Sequence, residues 1–255
     1  MIGFKTVSFL AFIVYFCAFA MAVDYSETVI KTVDNRPVKA RIYMPAEKTI
    51  SPAVIIAPGQ GYHQGLPIIE GLAGMLARNG MIAVSFDWYF FSEKKERSGD
   101  LSMEASDMKA VVEHAKSLEY ADKERIILAG KSLGSVVAYR VFIEDKSLFS
   151  LLMLTPVIPG VETAEQLYPG FNGEARLLHI IVGDRDPDNC RLNAMYEFIS
   201  KRTEPVTVSV VGGDHGLNAV RAEEPESERI NRENIELAIL SGIRWIRLTA
   251  GRTGQ

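Results

Sequence analysis

Arg125-Ile126-Ile127-Leu128-Ala129-Gly130-Lys131-Ser132-Leu133-Gly134 joins a continuous apolar run to a G-x-S-x-G pentapeptide, and a helix-forming stretch at 135–144 follows directly. Apolar strand, glycine-flanked turn and helix, in that order, are the surroundings a nucleophile elbow requires. Glycines two before and two after the serine let the backbone turn without a Cβ clash, so the serine Oγ stands exposed in strained geometry at the strand's end. Ser132 is therefore the first candidate nucleophile.

A neutral serine needs a base, and the base needs a carboxylate to orient it. Two glycines around a serine recur by chance, so the order of the remaining groups along the chain adds weight. The apolar run 177–182 ends in Gly183-Asp184-Arg185-Asp186-Pro187-Asp188, and the run 206–211 ends in Gly212-Gly213-Asp214-His215-Gly216. Both read as strand ends opening into loops. His215 is the only histidine that follows a strand beyond the aspartates. His114, in a predicted helix, and His179, inside a strand, read as structural; Asp214 reads as a loop-capping carboxylate. His63, in a glycine-rich loop, reads equally as a substrate contact or a surface group. Asp184, Asp186 and Asp188 compete for the role of acid. They do not form a calcium loop, which needs Gly at its sixth position and Glu at its twelfth. Counted from Asp184, those positions hold Asn189 and Met195.

The flanking sequence repeats one unit. Strands are expected at 28–33 and 37–43 around an Asp34-Asn35-Arg36 turn, then at 53–57, an apolar run that ends in Pro58-Gly59-Gln60-Gly61. A helix over 66–78 stops at Asn79-Gly80 and leads to a strand at 81–86. Helices at 102–118 and 135–144 flank the elbow, a strand follows at 151–154, a helix at 191–201 separates the two loop-bearing strands, and a last helix spans 228–247. Alternation of this kind predicts an α/β fold: a mostly parallel eight-stranded sheet with helices on both faces and an antiparallel opening pair. The tail from Leu248 to Gln255 lacks apolar periodicity and is expected to fray.

Length and composition set the bounds. The chain begins with a basic Met1-Ile2-Gly3-Phe4-Lys5, runs apolar over 7–20 and reaches Ala20-Met21-Ala22, an A-x-A site. This is the pattern of a secretory signal peptide at residues 1–22, with a mature domain at 23–255 that is exported and has no stable membrane association once cleaved. The rival reading is an uncleaved membrane anchor, since a spanning helix needs about 20 apolar residues. Tyr15 and Phe16 before Cys17 argue against lipid acylation. Cys190 would then be the one cysteine left, so no internal disulfide can form, and it reads as a packed small hydrophobe. The remaining chain is long enough for one domain with a sizeable core. A net charge of -4 argues against nucleic acid as a partner, because no basic stripe exists to neutralise phosphates.

Over nearly all of the mature sequence these motifs resemble the α/β-hydrolase superfamily, and within it the capless dienelactone-hydrolase-like and Tex30/KANL3-type hydrolases. Dienelactone hydrolases usually carry cysteine as nucleophile where this chain has Ser132. The resemblance implies a triad of Ser132, Asp186 and His215, with Asp186 three residues after Gly183 in the usual place of the acid. It also implies an oxyanion hole made by the N–H of Leu133 and one from the loop after the third strand, Gln60 or Gly61, with Gln60 favoured. Pro58 occupies the place where many relatives have histidine, and proline has no N–H to give.

Tyr62, His63, Trp88 and Tyr89 are candidate substrate-binding residues: four consecutive aromatics, Trp88 to Phe91, cannot all face one core, so one or two are expected to wall the pocket. The charged run 92–100 reads as a solvated, mobile loop, and Lys131 as an ordinary variable position of the elbow. Where larger relatives insert a helical cap, this chain has only 155–173, so the site should be open or covered by a short flap containing Tyr168 and Phe171. The implied activity is that of a serine hydrolase needing no metal or organic cofactor, acting on a small-molecule or polymer-attached carboxylic ester. Peptidase, thioesterase or acyltransferase chemistry on the same triad, and a catalytically silent binding domain, are the alternatives.

Overall fold

The computed structural model describes residues 24–220 and 222–251. The expected signal peptide at 1–22, Cys17 and residues 252–255 lie outside them. Strands β1 (Ser26–Lys31), β2 (Pro37–Tyr43), β3 (Ser51–Ala57), β4 (Ile82–Phe86), β5 (Ala121–Lys131), β6 (Ser150–Leu154), β7 (Leu177–Gly183) and β8 (Thr207–Val211) form one sheet in the order β1-β2-β4-β3-β5-β6-β7-β8. Only the β1–β2 and β2–β4 pairings are antiparallel. The first hairpin turns at Asn35, whose φ of 64° falls in the left-handed region that asparagine tolerates.

Helices α1 (Pro67–Arg78), α2 (Tyr89–Ser92), α3 (Ser102–Ser117), α4 (Leu133–Glu144), α5 (Val161–Leu167), α6 (Leu192–Ser200) and α7 (Glu226–Ala250) complete the chain, with one 3-10 turn at Phe171–Gly173. The central strands read as unbroken apolar runs because both of their faces are buried. In β3, Ala53, Ile55 and Ala57 enter the core beneath α3 and α4, while Val54 and Ile56 enter the core beneath α1 and α7. Truncating one of these large aliphatic side chains to alanine costs about 2–5 kcal/mol, a large part of the stability of a domain this size. No helix among the described residues is long and apolar enough to cross a membrane.

The sheet also fixes where a site can lie. From β3 the chain crosses to β4 on one side and then to β5 on the other. The crevice outside the carboxyl ends of β3 and β5 is therefore a topological switch point, the usual ligand position in open α/β sheets.

Three expectations need correction. Leu248, Thr249 and Ala250 do not fray: α7 continues through them, Thr249 Oγ1 donates to the Trp245 carbonyl, and Arg125 donates to the carbonyl of Ala250 at 2.9 Å. Tyr168 and Phe171 are no flap. Both are buried, packed against Tyr139 and Phe198, and the Tyr168 hydroxyl accepts the Val157 N–H and bonds to Ser135 Oγ. The run 92–100 is exposed over Glu93–Arg97, but its end is anchored: Ser98 donates twice to the buried Glu104, and Arg140 donates to the Asp100 carbonyl.

Candidate active site

β5 delivers Ser132 to the switch point, and α4 begins at the next residue. Ser132 has φ 53° and ψ -119°, a conformation costly for any residue with a Cβ, and its N–H is held by the Leu154 carbonyl at 3.0 Å. The flanking glycines are there for space. A Cβ on Gly134 would lie 2.5 Å from the Ala57 carbonyl and 2.6 Å from that of Pro58, and one on Gly130 would strike the Gly134 carbonyl. β3, β5 and α4 can converge this closely only with bare backbone at those positions.

The loop after β8 carries His215 to within 2.8 Å of Ser132 Oγ through Nε2, and its Nδ1 lies 2.6 Å from Asp186 Oδ2. A carboxylate can only accept, so Nδ1 carries the proton and donates it to Asp186. Nε2 is then the acceptor for the Ser132 hydroxyl. Asp186 is buried, with Asn189 donating to its other oxygen. Burial raises its pKa, but the hydrogen bond and charge of His215 and the Asn189 donors outweigh that and hold the carboxyl below its ordinary value. The competing aspartates are elsewhere. Asp184 accepts the Gly213 N–H at 2.8 Å and so shapes the histidine loop, while Asp188 is exposed. Asp214 caps the same loop through the N–H groups of Gly216 and Asn218, as its position suggested.

The loop after β3 packs on the nucleophile: a Cβ added at Gly59 would lie 3.1 Å from Ser132 Cβ. Gln60, next in the chain, is exposed beside it, and Leu133 opens α4, where the first N–H groups have no intrahelical acceptor. Two residues hold this loop in place. Asp87 accepts the Gln64 N–H at 2.8 Å, and Trp88 Nε1 donates to the Pro58 carbonyl at 2.8 Å.

Trp88 is consequently no pocket wall. It is fully buried, edge-on to Phe86, and supports the loop from below. Tyr89 also turns elsewhere, its ring facing Arg36 and its hydroxyl accepting from Lys95. Tyr62 does stay at the site, its ring 3.5 Å from a Cβ built on Gly59. His63 is half-buried, stacked on Phe91 and accepting the Gly65 N–H. His179 is buried, paired with Ser209 and set against Trp245, a structural arrangement.

Lys131 is not an ordinary variable position of the elbow. Its side chain is fully buried, and Nζ donates to Thr155 Oγ1 at 2.5 Å and to the His215 carbonyl at 2.6 Å, 4.9 Å from the centre of the Tyr62 ring. Asp87, Thr155 and Lys131 were thus missed as site residues. A signal for the lysine existed, since it extends an apolar run whose strand is buried on both faces. Cys190 is buried in the core, and burial pushes its thiol up to about 12. A cleft of about 670 Å³ lined by Asp184, Arg185, Asp186, Cys190 and Arg191 reaches the acid but not Ser132, so it is not where a reacting carbonyl would sit.

Residues 51–246 match the sequence model of a family described as an alpha/beta hydrolase domain. Among solved structures, an alpha-beta serine hydrolase homologue from Coxiella burnetii superposes with a TM-score of 0.67 at 19% identity, covering 85% of this chain and 96% of that one. Est1E from Butyrivibrio proteoclasticus gives 0.69 at 16% identity over 89% and 99%. An α/β serine hydrolase without a lid from Xanthomonas campestris gives 0.66 at 16% identity over 88% and 96%. No curated protein matched the sequence.

Proposed function

The chain belongs to the alpha/beta hydrolase domain family, and on that premise we propose that it is a serine hydrolase that cleaves carboxylic esters through an acyl-enzyme on Ser132. The observation that carries this reading is the unbroken pair of hydrogen bonds from Ser132 through His215 to Asp186. As the Ser132 oxygen attacks the acyl carbon, His215 Nε2 takes its proton, and Asp186 stabilises the imidazolium that forms. The oxyanion is assigned to the N–H groups of Leu133, which opens α4, and of Gln60, beside Ser132. His215 then protonates the departing alkoxide, the alcohol leaves, and water activated by the same imidazole releases the acid and restores Ser132.

With the aromatics of 155–173 packed in the core and not over the site, the open cleft suits bulky or polymer-attached esters as well as small ones. Tyr62 is the proposed substrate contact at the mouth, and His63 a neighbour of it. Residues 1–22 are proposed to direct export, with the mature domain beginning at Val23.

The test is labelling of the purified mature chain with a fluorophosphonate probe, the adduct mapped by mass spectrometry, beside Ser132→Ala and His215→Ala. An adduct on Ser132 that needs His215 supports an activated nucleophile and directs screening to acyl esters of graded chain length. A folded protein that never labels overturns the enzyme reading in favour of a binding role.

A further inference from the structure

We propose that Lys131 is a positioning residue whose buried ammonium clamps the loops after β3, β6 and β8 to the end of β5 from beneath the site and holds His215 in register with Ser132. This rests on the serine-hydrolase reading above and deepens it.

An ammonium removed from water is costly unless its protons are satisfied. Here they are: one goes to Thr155 Oγ1, one to the His215 carbonyl, and the third side of the group faces the Tyr62 ring. Those partners sit on three different loops, and Lys131 itself is the last residue of β5, immediately before Ser132. Thr155 is a strained anchor with φ 38°, its own N–H tied to the Ile181 carbonyl at 2.6 Å. The contact to His215 is to its backbone, so the lysine fixes where the imidazole starts without competing for either ring nitrogen. No hydrogen bond joins Lys131 to Ser132, which separates this role from that of a lysine base.

The clamp carries a charge, and the charge gives it a signature. Titratable groups around Lys131 are the Asp186 and Asp214 carboxylates, the His215 imidazole and the Tyr62 hydroxyl. Burial lowers the Lys131 pKa, the two aspartates raise it, and the balance is about 8. Below that pH the ammonium makes charge-assisted bonds. Above it, the neutral amine keeps two donors but loses the charge that strengthens them. Ser132 reactivity should fall on the alkaline side as Lys131 loses its charge.

The experiment measures fluorophosphonate inactivation of the mature chain from pH 5.5 to 10, resolved into kinact and KI, for wild type, Lys131→Met and Thr155→Val, with thermal melts as a folding control. Wild-type adduct on Ser132 tests the parent reading by itself; its absence overturns that reading and leaves nothing to clamp. Given that adduct, wild-type kinact should fall about three- to tenfold above pH 8, matching the lost charge assistance. Lys131→Met should lower kinact about 10- to 100-fold with KI unchanged, the size expected of a displaced catalytic group, and its alkaline fall should vanish. Should Lys131→Met not fold, Thr155→Val decides. It removes an acceptor from the ammonium, so the alkaline limb should move to lower pH, which a merely structural contact would not cause. A wild type with no alkaline limb, a folded Lys131→Met with wild-type kinact, or a Thr155→Val limb that stays in place overturns the proposal.

Discussion

Trp88 Nε1 donates to the Pro58 carbonyl at 2.8 Å, and both groups are buried. The bond crosses from the loop after β4 to the loop after β3, so an indole that never reaches solvent controls the seat of the proposed oxyanion donor Gln60. Trp88→Phe keeps the ring and strands the carbonyl. It should cost about 2 kcal/mol of stability, from one unsatisfied buried acceptor plus a small cavity. It should also slow fluorophosphonate labelling without changing preference among acyl chain lengths. A thermal melt and a chain-length series on the same variant check both halves, and an altered chain-length preference would restore Trp88 to the pocket.

The three aspartates after β7 should separate cleanly by substitution. Asp186→Asn keeps the shape but presents an amide to His215 Nδ1, favouring the wrong tautomer, and turnover should fall about 10⁴-fold. Asp188→Ala, on an exposed residue, should stay within about twofold of wild type, as surface changes generally do. Initial rates on an activated ester, with circular dichroism to confirm folding, are sufficient.

How far the sequence carried depends on what each signal encodes. The central strands and the elbow were legible because burial on both faces writes long apolar runs, and because a positive-φ serine needs glycines where Gly130 and Gly134 stand. His215 was legible by order alone. Trp88 and Tyr89 were misassigned to the pocket: Tyr89–Ser92 forms a single helical turn behind Trp88, which sends the rings in divergent directions, Trp88 to the core and Tyr89 toward Arg36. Tyr168 and Phe171 went wrong for a related reason, since a Pro/Gly-punctuated stretch gives no periodicity to say which rings face inward. Lys131 was not legible because a lysine's charge signals exposure, while its place at the end of a strand buried on both faces puts it inside.

Acid should weaken the fold at Glu174. Its carboxylate takes the backbone N–H, Nε and Nη2 of Arg176, whose guanidinium also donates to the carbonyls of Phe142 in the last turn of α4 and of Asp145 and Leu148 beyond it. The side-chain hydrogen bonds from Arg176 hold its pKa down to about 2, against an ordinary 4.5. The folded-state value is depressed, so the stabilisation is complete above about 4.5 and is lost as pH falls toward 2. Glu174→Gln should therefore be less stable than wild type by roughly 3 kcal/mol at pH 7, the two converging near pH 2. Urea melts at both pH values decide it; a deficit that persists undiminished in acid would mean that the charge is not the source.

Backbone strain at Ser132 offers the last comparison. Ser132→Ala and Ser132→Gly both delete the hydroxyl and its bond to His215, so both should abolish labelling. They differ in one respect, because only glycine adopts φ 53° and ψ -119° without a Cβ clash. Relief of such a conformation contributes about 1–3 kcal/mol, while the extra freedom of glycine in the unfolded chain takes back about 0.5–1. Ser132→Gly should then be the more stable of the two by about 1 kcal/mol, read as a higher melting temperature. Equal melting temperatures would mean that the elbow relaxes once its hydroxyl is gone. A higher value for the glycine variant would mean that the fold holds its nucleophile in a conformation that stability alone would not select.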